Sequence, residues 1–318
     1  MQTPIKPTDP QNTSWERNIL EKLLLEVYRE QRRNRIWRWI KWLVWLFLFF
    51  IILGALVGES ELGDTTESHT AVINLTGTIS SEEDQAEILS IGLEKAYRNK
   101  NVKGIIIRAN SPGGSPVVSN TAYNEIRYLK EKNPGIPLYV VAEDMCASGC
   151  YYIASAADKI YADPASLVGS IGVIGSSFDF TELMDKIGVK RRIKIAGNNK
   201  GMGDPFTPET PEQNHIWQGM LTSIHQQFID AVKQGRGSRL KYKNHPDVFS
   251  GRAYTGTEAK AIGLIDDFGS IYSVSRDIIK EPYLVDYTPT TSLTKRISRQ
   301  IGSEMQQGLQ GLIQQSSW

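Results

Sequence analysis

Cysteine and histidine are scarce in this chain of 318 residues: two of the first, Cys146 and Cys150, and four of the second. Two cysteines build no disulfide framework, and they lack the Cys/His spacing of a zinc site, so no metal is expected. They sit at the start of a helix-like stretch, where helix geometry disfavours a bond between them, and are expected as small buried thiols. His69, His215, His225 and His245 fall in a linker, a helix-like stretch and a polar loop. None ends a strand-like run, which speaks against a Ser-His-Asp triad. A P-loop, a dinucleotide fingerprint, a zinc-protease helix and a nucleophile elbow are all missing, so no cofactor is expected. Charge of one sign is missing too. With 36 Lys and Arg against 35 Asp and Glu, the net charge of +1 offers no global field to a nucleic-acid partner.

What the chain does have is one long apolar run. Residues 36–57 read IWRWIKWLVWLFLFFIILGALV, with no charged side chain from Leu43 to Val57. At helical rise the segment spans a bilayer core. Arg29, Arg32, Arg33, Arg35, Arg38 and Lys41 precede or enter it, and Glu59, Glu61, Asp64 and Glu67 follow it. The positive-inside rule therefore places the N-terminus in the cytoplasm and everything after Gly58 outside it. A cleaved secretory signal is the competing reading. The long region before the run and the length of the run itself favour a retained single-pass anchor.

The expected organisation is a cytoplasmic segment (1–35), the anchor (36–57), a polar linker (58–69), a catalytic domain (70–283) and a tail (284–318). Within the domain, strand-like runs at Ala71–Leu75, Gly104–Arg108, Leu138–Ala142 and Lys159–Ala162 alternate with helix-like stretches at Ser81–Arg98, Pro116–Lys130 and Ala147–Ala157. A longer helical stretch, Pro208–Lys233, follows a glycine-rich loop. That alternation predicts an α/β fold with a mostly parallel sheet and right-handed crossovers. In the tail, Leu293, Ile297, Ile301, Met305 and Leu309 form one narrow apolar stripe. It suits packing on its own domain, or docking on a neighbouring subunit or a membrane surface.

Ser148 stands between small residues where a strand runs into a helix. A nucleophile needs that setting: the strand carries it to the sheet edge, and the small neighbours admit a substrate backbone. Taken alone, the segment also reads as a tightly packed helix. SPGG at 111–114 follows a strand and reads either as a plain turn or as a backbone donor of an oxyanion hole. A serine without a histidine needs a lysine that is neutral at working pH. Bringing a lysine from about 10.4 to 7 or 8 takes about 4 kcal/mol of burial and polar arrangement. The candidates are Lys186, Lys190, Lys194 and Lys200; Lys190 and Lys194 share a basic, strand-like run with Arg191 and Arg192 and are expected to face water. Lys200, between Asn199 and Gly201, lies in a loop of small residues that permits close packing and is modestly favoured. Ser170, in the glycine-bounded run LVGSIGV at 167–173, reads as a partner for the lysine amine or as a strand serine bonded to backbone.

SPGG at 111–114, ASGCYYIASAADKIYADP at 147–164, LVGSIGV at 167–173, Lys200 and GRAYTGTEAKAIGLID at 251–266 together resemble the signal peptide peptidase A family (SppA), in its short bacterial form. The resemblance covers about residues 70–283. It implies a membrane-anchored serine-lysine peptidase with a Clp protease/crotonase-like fold, Ser148 as nucleophile, Lys200 as general base and Ser170 near the lysine. It also implies amide groups of Gly114 and Gly149 as the oxyanion hole. A homo-oligomeric ring is implied, with the serine and lysine of one site coming from neighbouring subunits, and signal peptides as substrates at a bacterial inner membrane. The cysteines around Ser148 and the glycine-rich run after Lys200 depart from the family pattern. The alternatives are a selective regulatory protease of SohB type, an acyl-CoA enzyme on the same fold, and a non-catalytic membrane scaffold.

Overall fold

Alternation of apolar and small residues over HTAVINLTGTI builds the first strand of a sheet that both faces of the domain cover. The structure, a computed structural model, describes residues 21–22, 32–33, 35–51 and 66–289. Two units are distinguished, one made of Met1–Ser60 with Thr291–Trp318, the other of Glu61–Thr290. In the first, residues 35–51 form helix α1, whose side chains are exposed throughout, Trp37, Trp39, Trp42 and Trp45 among them. No described helix is long and apolar enough to cross a membrane. The expected anchor continues past Ile51, and residues 52–57, like the tail stripe, lie outside the described residues.

The second unit is an α/β domain. Its strands are β1 (His69–Ile79), β2 (Val102–Gly114), β3 (Leu138–Ala147), β4 (Lys159–Ala162), β5 (Leu167–Gly169), β6 (Ala253–Thr255), β7 (Asp267–Phe268) and β8 (Leu284–Asp286). They run in the order β6-β5-β3-β2-β1-β8, with β4 on β3 and β7 on β4. Every pairing is parallel except β5 with β6. The mostly parallel sheet is as the sequence predicts. It forks on β3: Tyr139–Ala142 pair with β4, whereas Met145–Ala147 pair with β5.

Helix α2 (Gln85–Arg98) is capped by Asp84, whose carboxylate accepts from the Glu87 amide, and buries Leu89, Leu93 and Ala96 from one face. Helix α3 (Pro116–Lys132) starts with Ser115 as cap and proline in its first turn, the position where a missing N–H costs nothing. Helix α4 (Gly149–Ala154) is wholly buried and shorter than the stretch Ala147–Ala157 expected for it, because β3 continues through Ala147. After β5 the chain leaves the core: no residue from 172 to 227 is buried. That excursion holds helix α5 (Thr181–Lys186) and most of helix α6 (Pro211–Arg236), which returns to the core only at Phe228, Ala231, Val232 and Arg236. The basic run at 190–194 is exposed, as expected, but irregular rather than a strand, since no described strand pairs with it.

Candidate active site

Ser148 is the single residue between β3 and α4, and its backbone is at φ 53° and ψ −123°, a conformation that side chains with a Cβ rarely adopt. Its amide donates to the Gly169 carbonyl at 2.8 Å, and its carbonyl accepts from the Tyr152 amide at 3.0 Å. The residue is half-buried, and its hydroxyl makes no hydrogen bond with any described residue.

SPGG is no separate turn: β2 carries on through it to Gly114, helped by a register shift between its own Ala109 and Ser111 in the pairing with β3 and one between Thr76 and Thr78 of β1 in the pairing with β1. This brings two glycine pairs into backbone contact. A Cβ on Gly113, where φ is 98°, would stand 2.6 Å from the Gly149 amide nitrogen, 2.7 Å from the Ser148 Cβ and 2.8 Å from the Ala147 carbonyl. A Cβ on Gly149 would fall 3.2 Å from the Gly114 amide nitrogen and against the Ser119 hydroxyl. Only glycine fits either place. The structure thus brings Gly114, Gly149 and Ser148 together. Two residues not singled out from sequence support them. Buried Ser111 accepts from the Gly113 amide through its hydroxyl at 3.1 Å, and buried Ser119 donates to the Ser115 carbonyl at 2.8 Å. Ser111 lies inside the SPGG motif, so a signal for it was present; nothing local marks Ser119.

Ser170 follows β5 immediately and also takes a positive φ, 50°. Its hydroxyl donates to the Gly251 carbonyl at 3.1 Å and its amide to the Arg252 carbonyl at 2.9 Å. Behind it, an imidazole nitrogen of His225 on α6 lies 3.0 Å from the Ile171 carbonyl. Lys200 joins neither serine by a hydrogen bond. It ends a turn on the excursion, with its amide donating to the Gly197 carbonyl at 3.0 Å. Its side chain is exposed and bonds to no described residue. Within one chain the lysine and the serine are therefore not hydrogen-bonded.

The cysteines differ from expectation. Cys146 and Cys150 form a disulfide, with Cα atoms 5.1 Å apart. The expected thiols assumed both residues on one helix. In fact Cys146 belongs to β3 and Cys150 to α4, and the reversal at Ser148 brings their side chains together.

The floor of the site is tied to the core. The Tyr151 hydroxyl donates to the Leu264 carbonyl at 2.6 Å, and burial pushes that phenol well above its ordinary range. The Tyr152 hydroxyl donates to the Asn120 side chain at 2.9 Å. Beneath, Arg236 of α6, 1% exposed, donates to Asp266 at 2.7 Å. Burial alone would raise the Asp266 carboxyl, but the hydrogen bond and charge of Arg236, the Ile160 amide and Arg239 hold it below the usual range. Among the described residues no cluster of His, Cys, Asp and Glu could hold a metal ion.

Residues 130–281 match the model of peptidase family S49. A Brucella melitensis protein named Na(+)/H(+) antiporter NhaA is 47% identical over 184 residues, 58% of this chain but 25% of its own length; antiport belongs to that protein's name alone. An Enterococcus faecium protein named for signal peptide peptidase SppA is 33% identical over 196 residues, 62% of this chain and 56% of that one. The chain therefore spans about a quarter to a half of these two relatives. The slr0021 protein of Synechocystis sp., named a protease, is 31% identical over 209 residues, 65% of this chain and 72% of that one. Among solved structures, a mutant of the 1510-N membrane-bound stomatin-specific protease with a substrate peptide aligns at TM-score 0.48 and 16% identity. That alignment covers 74% of this chain and 99% of the other. With a family model that takes in Ser148, Gly149, Ser170 and Lys200, and a protease relative matched over 72% of its length, the chain belongs to peptidase family S49.

Proposed function

We propose that the chain is a membrane-anchored serine endopeptidase in which Ser148 is the nucleophile and Lys200 the general base, acting on remnant signal peptides and other membrane-derived peptides. One observation carries this reading: a half-buried serine hydroxyl without a partner among the described residues, at a strand-to-helix junction where Gly113 and Gly114 approach Ser148 and Gly149. The hydroxyl attacks the scissile carbonyl while the lysine amine takes its proton and passes it to the leaving amine. Water then hydrolyses the acyl-enzyme. The Gly114 and Gly149 amides meet the developing oxyanion, and the Ser170 hydroxyl oxygen orients the lysine amine. The sheet that forks on β3 supports the Clp protease/crotonase-like fold.

The position of Lys200 supports a shared site. The segment from 172 to 227 has no fully buried residue, and it presents Ile174 at 92% and Phe178 at 76% exposure. Seating it on a neighbour would cover that apolar surface and bring a lysine from one subunit to the serine of the next, as a homo-oligomeric ring requires. The anchor at 36–57, with cations before it and carboxylates after it, supports a single-pass protein of a bacterial inner membrane with its catalytic domain outside the cytoplasm.

The test is cleavage of a synthetic signal peptide by the full chain in detergent micelles. Wild type, Ser148→Ala, Lys200→Ala and an equimolar reassembled mixture of the two variants are compared. The expected result is an active wild type, two inert variants and recovered activity in the mixture. Full activity in either variant overturns the dyad. Inert wild type towards peptides with cleavage of a folded membrane protein would move the reading to the SohB type.

A further inference from the structure

Resting on the peptidase reading, we propose that the Cys146–Cys150 disulfide is a positioning device that holds Ser148 in its reactive conformation, so that turnover depends on the bridge being oxidised. Cys146 is pinned from both sides, opposite Ser111 on β2 and Val168 on β5. Cys150 lies in the first turn of α4. The bridge therefore closes a small covalent ring on Ala147, Ser148 and Gly149, which holds the nucleophile and one of the two proposed oxyanion amides. Ser148 stands at φ 53°, and its side chain bonds to no described residue that could hold it there. A residue with a Cβ keeps such a conformation only where its surroundings over-determine it. The ring is one such constraint, alongside the two backbone bonds to Gly169 and Tyr152.

Both cysteines are buried, at 1% and 0% exposure. The bridge is thus reached only when the start of α4 opens, and an oxidising compartment, as proposed for this domain, preserves it. Reduction by a dithiol proceeds by attack of one reductant thiolate on a bridge sulfur. The S–S bond breaks, and the mixed disulfide resolves as the reductant closes on itself. Two electrons and two protons pass to the protein, leaving two thiols, and oxidised glutathione reverses the change by becoming two reduced glutathiones. In the reduced state Cys150 and the start of α4 are no longer tied to β3.

The experiment uses the full chain in detergent micelles with a synthetic signal peptide. Oxidised wild type, dithiothreitol-reduced wild type, wild type reoxidised with oxidised glutathione, and the Cys146→Ala/Cys150→Ala double variant are compared for kcat, KM and Tm. Thiols are counted by mass after alkylation. The expected result is a fall in kcat of about 10-fold to 100-fold at unchanged KM on reduction, recovery on reoxidation, and a double variant that is slow and indifferent to both reagents. An active wild type whose kcat stays within about 2-fold on reduction overturns this inference alone. Loss of the fold on reduction at the assay temperature also overturns it, since the bridge would then be a structural staple. Should the double variant not fold, the reduced wild type carries the comparison. A folded wild type inert in both states overturns the peptidase reading, and this inference with it.

Discussion

Ser148 and Ser170 end two neighbouring parallel strands, both at positive φ, 53° and 50°, and the Ser148 amide donates to the carbonyl of Gly169, immediately before Ser170, at 2.8 Å. Two adjacent chain reversals at one sheet edge turn both serines out of the ladder together. Because the Ser170 hydroxyl donates its proton to the Gly251 carbonyl, its lone pairs remain available to an amine. Ser170→Ala should lower kcat by about 10-fold with little change in KM, a split read by steady-state kinetics.

Removing the Ser148 hydroxyl breaks no hydrogen bond with any described residue. Ser148→Ala keeps the Cβ and the backbone conformation, so Tm should stay within about 2 °C of wild type while turnover is lost. Calorimetry and peptide cleavage on one preparation check both halves.

Gly113 has no room for a methyl group, which would meet the Gly149 amide nitrogen at 2.6 Å, and its φ of 98° strains any side chain. Gly113→Ala should destabilise the domain by about 1–3 kcal/mol in denaturant unfolding and displace the amides beside Ser148. A variant as stable and active as wild type would sink the account of this contact.

The Arg236–Asp266 pair predicts acid sensitivity. The folded-state carboxyl of Asp266 lies below its ordinary 3.8, so its contribution is present above that pH and is lost as pH falls through the folded value. Asp266→Asn leaves the buried Arg236 charge uncompensated and should cost about 3–5 kcal/mol near neutrality. The Tm gap between variant and wild type should then narrow below about pH 3.8, measured by thermal melts in a pH series.

Ile174 and Phe178 touch water rather than core, so a charge there leaves the fold of one chain intact. Phe178→Asp should give an unchanged far-ultraviolet spectrum but a smaller assembly by light scattering, with peptide cleavage falling in parallel. Unchanged assembly and activity would count against the proposed ring contact.

Much of the fold was legible because its signals are local. Lys159–Ala162 is a strand with the predicted bounds, and α2, α3 and α6 announce themselves by caps, a leading proline and apolar residues at helical spacing. SPGG was harder. Its proline and two glycines carry turn chemistry, yet a bulge lets β2 continue through them, and bulges depend on the partner strand. The basic run at 190–194 has a strand's composition but no described strand beside it, so it stays irregular.

The chain itself determined the alternation of strands and helices, the residue types available for chemistry, and the placement of Ser148 at a strand-to-helix junction, since each follows from periodicity, capping and small-residue packing. Tertiary structure alone decided that Gly113 and Gly114 lie against Ser148 and Gly149, that Ser148 and Ser170 share an edge, that the Lys200 side chain bonds to neither serine, and that Cys146 bonds to Cys150. Those relationships rest on strand register and on the φ of single residues, which the surrounding packing imposes and local composition does not encode.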